Sequence, residues 1–185
     1  MHHTLVAYVE DKPGVLNRVA SLFRRRAFNI ESLAVGHTDQ EGVSRMTIVV
    51  DTDDFGARRL EANLYKLVNV LRVEDVSGEA AVVRDLAMVK VAADGQTRAQ
   101  VMQLCDVYRA RVVDVTSESL IIEITGTEDK IDSLVDVLRP FGIIEMVRTG
   151  VVAMRRGPMA VNPDPPRVAA HVPVEAADSS VAYSV

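Results

Sequence analysis

The sequence predicts an α+β protein that contains two ferredoxin-like modules of the order β-α-β-β-α-β, followed by a disordered tail. Two observations predict the modules. Short runs of β-forming residues alternate with segments whose apolar residues recur every three or four positions, and the whole alternation occurs twice. A third observation predicts the tail, because five of the seven prolines lie from Pro158 onward, in a stretch without periodicity.

The first module is expected within residues 1–77. Residues 4–9 carry no charge and favour a buried strand, and Pro13-Gly14 then forces a tight turn before the first helix. The predicted apolar face of this helix follows the i, i+3, i+4, i+7 spacing: Leu16, Val19, Ala20 and Phe23. The six predicted elements are strand 4–9, helix 15–26, strand 30–36, strand 44–50, helix 54–68 and strand 70–76.

The second helix and the hairpin of this module have their own signals. Asp53 or Asp54 is placed to cap the helix. Gly42 suits the turn between the two middle strands, because tight hairpins favour residues that adopt positive φ. The predicted apolar face of the second helix is Leu60, Leu64, Leu67 and Val68.

The second module is expected within residues 78–156, and the tail within residues 157–185. Thr97-Arg98-Ala99-Gln100 has the form of a capping box, and Thr127 is predicted to start the next helix. Apolar residues recur at helical spacing after both starts: Val101, Leu104, Cys105 and Tyr108, then Ile131, Leu134, Val135 and Leu138. The strands predicted around these helices are 86–92, 111–116, 119–125 and 143–148.

Composition excludes several classes of function. The 185 residues carry a net charge of −5, whereas a general nucleic-acid binder needs a basic face. No apolar run approaches the roughly 20 residues that span a bilayer, and the N-terminus does not have the pattern of a signal peptide. One cysteine, Cys105, cannot form an internal disulfide and fits a reducing compartment. We therefore expect a cytoplasmic protein with no nucleic-acid or membrane partner.

The strands also predict how the protein assembles. Residues 4–9 and 46–50 are largely apolar on both faces of the predicted sheet, whereas the helices cover one face only. We therefore expect another copy of the chain to cover the second face or the edge, so that the protein is not a monomer.

Two polar corners flank the first helix and together favour a site for a small anionic ligand. The turn leaves the N–H groups of Gly14, Val15 and Leu16 free at the positive end of the helix, beside the acceptor Asp11. The corner after the helix supplies the amide of Asn29, and we expect both corners to converge at one end of the sheet. Such a set suits the carboxylate and ammonium of a free amino acid. Each residue also has a purely structural explanation, as a turn, cap or corner residue.

Groups suited to catalysis are scarce. Cys105 lies on an apolar helical stripe and is expected to be a buried structural thiol. The four histidines lack the spacing of a metal pair, and His37 is expected to be a solvated loop residue. The sequence has no phosphate loop, no dinucleotide-binding glycine motif and no nucleophile elbow. We therefore predict neither a catalytic site nor a metal site.

Several motifs resemble a known family. Asp11-Lys-Pro-Gly14-Val-Leu16 is similar to the D-x-P-G-x-L signature of ACT domains, which sense amino acids in metabolic enzymes. The string Phe28-Asn-Ile-Glu-Ser-Leu33 is similar to the regulatory (small) subunits of acetolactate synthase, also called acetohydroxyacid synthase. The resemblance covers roughly residues 2–156. Its further blocks are residues 44–48, 67–71, 84–91 and 144–150.

The resemblance implies an N-terminal ACT domain, an ACT-like second module and a regulatory role. Subunits of this family bind and activate a separate catalytic large subunit, which condenses pyruvate with pyruvate or 2-oxobutyrate. The resemblance also implies feedback inhibition by valine, in some cases isoleucine or leucine, bound between the ACT domains of a homodimer. No cofactor is expected in this chain, whereas thiamine diphosphate, Mg²⁺ and FAD are expected in the catalytic partner.

The resemblance also implies which residues bind the effector. The positions carried over are Asp11, Gly14, Asn29 and Ile30, with Val15 and Leu16 as neighbours. Ala27 stands where glycine is frequent in the family, so the corner at Asn29 departs from the usual pattern.

Three other functions compete with this interpretation. A free-standing ACT-type sensor that controls another enzyme is the main alternative. A hydrolase of the acylphosphatase type would need an Arg and an Asn aimed at a phosphate, and no matching loop motif is present. An RNA-binding module of the same topology would need aromatic residues on its central strands, whereas residues 46–50 are Met-Thr-Ile-Val-Val.

Overall fold

The computed structural model describes residues 1–157 and contains two α+β modules in the predicted order. Apart from Gly157, the segment predicted as a tail lies outside the described residues. The first module consists of β1 (His2–Glu10), α1 (Val15–Arg25), β2 (Ile30–His37), β3 (Val43–Asp51), α2 (Asp54–Leu64) and β4 (Val70–Asp75). The second consists of β5 (Ala81–Ala92), α3 (Arg98–Tyr108), β6 (Arg111–Val115), β7 (Ser119–Gly126), α4 (Glu128–Leu138), a 3-10 turn (Arg139–Phe141), β8 (Ile143–Arg148) and β9 (Val152–Arg155).

The first sheet has the strand order β2-β3-β1-β4, and neighbouring strands are antiparallel. β1 and β2 are consequently parallel to each other, with β3 between them. Alternate residues of the strands point toward α1 and α2, as the pleat of a strand requires. The helix-facing core of the sheet contains Leu5, Ala7, Val9, Met46, Ile48 and Val50.

The face of α1 that packs on this sheet differs from the predicted one. The residues that α1 buries are Val15, Val19, Leu22 and Phe23. Leu16 is 44% exposed and Ala20 is also exposed, so the prediction that they belong to the core is wrong. Both sets of residues have helical spacing, and periodicity alone does not choose between them. The rotation of the helix after the turn at Gly14 directs Val15 to the core instead of Leu16.

The second helix ends earlier than predicted. Asp53 caps it through a hydrogen bond from the Gly56 N–H of 2.7 Å, which confirms one of the two predicted caps. α2 then ends at Leu64 instead of residue 68, and Val68 is 84% exposed. The chain turns here because the Tyr65 hydroxyl both donates to and accepts from the backbone of β4, at 3.0 Å in each case.

The second module repeats the topology with the order β6-β7-β5-β8. All four apolar residues predicted for α4 are buried, as are Val101 and Cys105 of α3. Thr97 precedes α3 as expected, but its side chain makes no capping hydrogen bond. It bonds instead to Asp94, whose carboxylate also accepts from the Gln96 and Thr97 N–H groups. The capping-box prediction is therefore wrong, since Asp94 organises the turn.

The second face of the first sheet is covered by the same chain. β9, which the sequence did not predict, pairs with residues 81–84 at the start of β5. This ribbon packs on the side of the first sheet that the helices leave open, where Val6, Val76 and Ala153 form a buried cluster. The expectation that another copy covers the second face or the edge is therefore wrong for the part of this face around Val6, which the same chain covers. β2 nevertheless remains an edge strand, because within residues 1–157 it pairs with β3 alone.

Candidate functional site

The turn between β1 and α1 ends at Gly14, whose φ of 84° lies in the left-handed region. Within residues 1–157 the N–H groups of Gly14 and Leu16 have no acceptor. The Val15 N–H donates to the Lys12 carbonyl oxygen at 3.3 Å, so the prediction that this N–H is free is wrong. A Cβ placed on Gly14 would meet no atom of the described residues within 4 Å, and α1 has no acidic residue in its first turn. Two N–H donors therefore stand beside open space at the positive end of a helix dipole.

Polar side chains around the buried amide of Asn69 fix the position of this turn. Asn69 donates to Glu10 Oε2 at 2.6 Å and accepts from Arg18 Nη1 at 2.5 Å. Lys12 Nζ lies 3.1 Å from the same oxygen of Glu10. The hydrogen bond from Asn69, followed by that from Lys12, lowers the pKa of Glu10 from its ordinary value. The turn is thereby tied both to α1 and to the start of β4.

Asp11 belongs to the same corner. Its Oδ2 lies 3.2 Å from Nδ1 of His37, the last residue of β2. Its N–H donates to the Gly42 carbonyl oxygen in the β2–β3 hairpin at 2.8 Å. His37 is solvated, as predicted, but it is the last residue of β2 and not a loop residue, and its contact with Asp11 was not foreseen. The Asp11 carboxylate remains about half exposed, so it can also accept a hydrogen bond from a ligand ammonium.

The second corner follows the end of α1. Ala27 adopts a φ of 57°, a left-handed conformation that favours glycine. This explains why glycine suits the position, and it shows that alanine is accommodated there. Asn29 Nδ2 donates to Glu31 Oε1 at 2.6 Å, so the predicted amide already has one partner in this chain. Ile30 starts β2 and packs partly against the first core.

The two corners lie at opposite ends of the first sheet. β1 and β2 run in the same direction, so the residues after β1 lie where β2 ends, and Asn29 lies where β2 begins. α1 separates Gly14 from Ala27, and its 11 residues span about 16 Å. The expectation that Asp11, Gly14 and Asn29 converge at one end of the sheet within one chain is therefore wrong. Only the topology of the fold predicts this separation of the two corners, because the two parallel strands of a β-α-β unit begin at the same end of the sheet.

The side chains of the remaining two predicted neighbours differ in accessibility. Val15 is buried in the first core and cannot touch a ligand at the surface with its side chain. Leu16 is accessible on α1, beside Gly14. Of the positions carried over, Asp11, Gly14 and Leu16 form one accessible group, while Asn29 and Ile30 form another.

Other reactive groups have structural roles. Burial raises the pKa of the Cys105 thiol, as expected for an inert core cysteine. His3 is buried in β1 with Nδ1 2.8 Å from Asp75 Oδ2. No three His, Cys, Asp or Glu side chains within residues 1–157 are grouped so as to hold a metal ion. In the same part of the chain no helix has the length and apolar character needed to cross a membrane.

Models of two protein families match the chain in succession. The one described as an AHAS small subunit-like ACT domain matches residues 5–72. The one described as the small subunit of acetolactate synthase matches residues 84–157. The two matches together span both modules.

Individual relatives agree with these matches. The chain is 50% identical over 159 residues to the acetolactate synthase small subunit of Mycolicibacterium smegmatis, covering 86% of this chain and 94% of the relative. It is 48% identical over 157 residues to a probable acetolactate synthase small subunit of Archaeoglobus fulgidus, covering 85% and 98%. The crystal structure of the small subunit from Thermotoga maritima is similar with a TM-score of 0.81 and 38% identity, covering 85% of this chain and 99% of that one.

Proposed function

The chain belongs to the family of acetolactate synthase small subunits, and we propose that it activates the catalytic large subunit and makes it sensitive to valine. Membership in this family implies the large subunit as a partner. In this proposal the small subunit is not catalytic by itself. The condensation of pyruvate with pyruvate or 2-oxobutyrate takes place in the large subunit, which holds thiamine diphosphate, Mg²⁺ and FAD.

The observation that supports an effector site is the placement of the two corners at opposite ends of an edge strand, β2, whose outer edge has no partner within residues 1–157. A two-fold axis through the outer edge of β2 would pair it with β2 of a second chain in antiparallel fashion. Such pairing brings the Gly14 corner of one chain next to the Asn29 corner of the other. The residues that one chain keeps about 16 Å apart would then form two equivalent composite sites. We propose this homodimer as the form that binds valine.

The groups at the Gly14 corner and at the Asn29 corner fit different parts of an amino acid. The free N–H groups of Gly14 and Leu16 suit a carboxylate at the start of α1. Asp11 is the acceptor for the ammonium group, with the amide of Asn29 completing the polar contacts from the second chain. Leu16 and Ile30 are accessible or half-buried apolar side chains, and they would enclose a branched aliphatic group.

Regulation follows if valine binds more tightly to one arrangement of the complex than to another. A ligand shifts an equilibrium only through this difference in affinity. A site shared by two chains provides such a difference, because its halves must approach closely to bind both ends of the ligand. We propose that the closed arrangement is the less active one, and that the second module contributes to holding the large subunit.

Reconstitution tests the proposal directly. Purified large subunit is assayed for acetolactate formation alone, with the full chain, and with the full chain plus valine. We expect no turnover by the chain alone, a higher rate when both subunits are present, and a lower rate once valine is added. Equal activity with and without the chain, at saturating ratios, would refute activation. Activation without any response to valine, isoleucine or leucine would refute the effector site alone.

A further inference from the structure

The two modules are in contact near the start of β2, beside the corner that carries Asn29. The Val151 N–H, in the segment between β8 and β9, donates to Ser32 Oγ of β2 at 2.8 Å. A second contact runs from the Arg45 guanidinium to the Ala153 carbonyl oxygen. Of these two contacts, the bond to Ser32 lies nearer in sequence to Asn29 and Ile30.

Ser32 is linked to that corner through an irregularity in the strand. Ile30 pairs with Val50 and Ser32 with Val49, so the register of β2 shifts between them. Glu31, which accepts the hydrogen bond from Asn29, occupies the bulge. A bulge leaves one residue outside the ladder of hydrogen bonds, and it bends the strand and increases its local twist. A movement of Asn29 and Glu31 on ligand binding therefore reaches Ser32 directly.

The fit on the other side of the contact is tight. Gly150 has a φ of 82°, and a Cβ on it would lie 2.8 Å from Ser32 Oγ and 3.4 Å from the Leu33 carbonyl oxygen. Val151 is 2% exposed. A shift of Ser32 consequently acts on the backbone at residues 150–151, because Ser32 Oγ is already in hydrogen-bonding contact with the Val151 N–H.

This segment continues into the framework of the second module. The Thr149 N–H donates to the Leu86 carbonyl oxygen of β5 at 3.0 Å. Arg148 binds the buried Asp85 of β5 at 2.7 Å and Asp132 of α4 at 2.8 Å. A cavity of about 340 Å³ lies beside the contact and is lined by residues of both modules, among them Glu31 and Arg148.

We propose that the hydrogen bond from Val151 to Ser32 transmits the effect of valine binding from the corner that carries Asn29 to the second module. This inference rests on the proposed function. Ser32 acts as a positioning residue: it does not touch the effector, and it connects the bulge that carries Asn29 to the segment that anchors β8. Removing its hydroxyl should weaken the response to valine without removing the valine site.

Three serine variants of the full chain test this. Ser32→Ala removes the acceptor, Ser32→Thr keeps it, and Ser44→Ala serves as a control. Ser44 is a buried serine of β3 whose side chain has no hydrogen bond with the described residues. Each variant is measured for valine affinity by calorimetry on the chain, and for activation and valine inhibition after reconstitution with the large subunit.

We expect Ser32→Ala to bind valine and to activate the large subunit like the wild type. The ratio of activity without valine to activity with saturating valine should fall about five-fold, which is the factor that one neutral hydrogen bond contributes to an equilibrium. Ser32→Thr and Ser44→Ala should keep the wild-type ratio. An unchanged ratio in Ser32→Ala, or equal losses in Ser32→Ala and Ser32→Thr, would overturn the inference. A wild type that does not bind valine would instead overturn the proposed function.

Hydrogen–deuterium exchange gives a readout without the large subunit. In the wild type, valine should slow exchange in the peptide that contains residues 150–155, in the second module. In Ser32→Ala this effect should disappear, while protection at residues 14–18 and 29–31 persists. Valine-dependent protection of residues 150–155 that survives in Ser32→Ala would show that another contact transmits the signal.

Discussion

His37 Nδ1 lies 3.2 Å from Asp11 Oδ2, and this contact marks the end of the sheet at which β1 and β2 both finish. Since Asn29 precedes β2, the same contact shows that Asn29 belongs to the opposite end. A valine site that uses both residues must therefore combine two chains. The first three predictions below test whether the valine site is shared between two chains.

Gly14→Asp should give an active but valine-resistant enzyme. The new carboxylate would occupy the empty space beside Gly14 and repel the ligand carboxylate from the start of α1. We expect valine affinity, measured by calorimetry, to fall more than about tenfold, or about 1.4 kcal/mol. Gly157→Asp is the matched control, because Gly157 has a similar φ of 78° and a Cβ placed on it would meet no atom of residues 1–157 within 4 Å. Wild-type inhibition in Gly14→Asp would show that valine does not bind at this turn.

Asn29→Ala should weaken valine binding and leave the fold intact. It removes one neutral hydrogen-bonding group from an exposed corner, which costs on the order of 1 kcal/mol, or about five-fold in affinity. Gln103→Ala, which removes an exposed amide from α3, controls for the loss of an amide elsewhere. Calorimetric titration that returns the wild-type dissociation constant for Asn29→Ala would exclude this side chain from the site.

Mixing the two variants should restore binding. In a heterodimer of Gly14→Asp and Asn29→Ala, one composite site carries both substitutions and the other carries neither. An equimolar mixture that exchanges subunits freely should regain about a quarter of the wild-type sites. Wild type mixed with the double variant contains the same substitutions, but its heterodimers have no intact site. Equal valine binding in the two mixtures, after correction for wild-type homodimers, would contradict a shared site.

The face by which α1 packs can be tested with two leucines. Leu22→Ala should lower the free energy of unfolding by about 2–5 kcal/mol, because it leaves a cavity under a buried side chain. Leu16→Ala should change stability by less than about 1 kcal/mol, because Leu16 is 44% exposed. Urea denaturation of the full chain measures both. Equal losses would favour the helix face that was predicted from periodicity.

Stability should depend on pH through Glu10. Hydrogen bonds lower its pKa in the folded chain from the ordinary value of 4.5, so the unfolded chain binds more protons as the pH falls. The contribution of Glu10 to stability is therefore present above pH 4.5 and is lost as the pH falls through the lower folded pKa. Glu10→Gln should flatten this part of the stability curve in chemical denaturation at several pH values. Glu118→Gln, an exposed control, should leave the curve unchanged.

Much of the fold was predictable from local sequence. β8 matches its prediction at both ends, and the buried residues of α4 were all foreseen, because their apolar patterns admit one orientation. For α1, the apolar pattern did not determine which face of the helix packs on the sheet. Two overlapping sets of apolar residues both have helical spacing, and the choice between Val15 and Leu16 depends on how the helix packs on the sheet. β9 was missed because four residues give too little periodicity to recognise a strand.

The candidate site was predictable in its parts but not in its assembly. A turn rich in free N–H groups at Gly14 and an amide corner at Asn29 are local features of the sequence. Their separation depends on the parallel direction of β1 and β2, which also brings His37 to Asp11. The contact between Ser32 and Val151 has no local signal, because it joins residues that tertiary packing alone brings together.

The packing of β9 on the first sheet has a consequence for how such proteins diversify. A fragment that stops after the first six elements would expose more of Val6 to water, because Val83 and Ala153, which belong to the same cluster, come from the second module. Taken alone, the N-terminal module of this chain would therefore lack part of the cover on the side of its sheet that the helices leave open. A gene fusion that includes this module must also include the second module, or evolve another segment that covers the open side of the sheet.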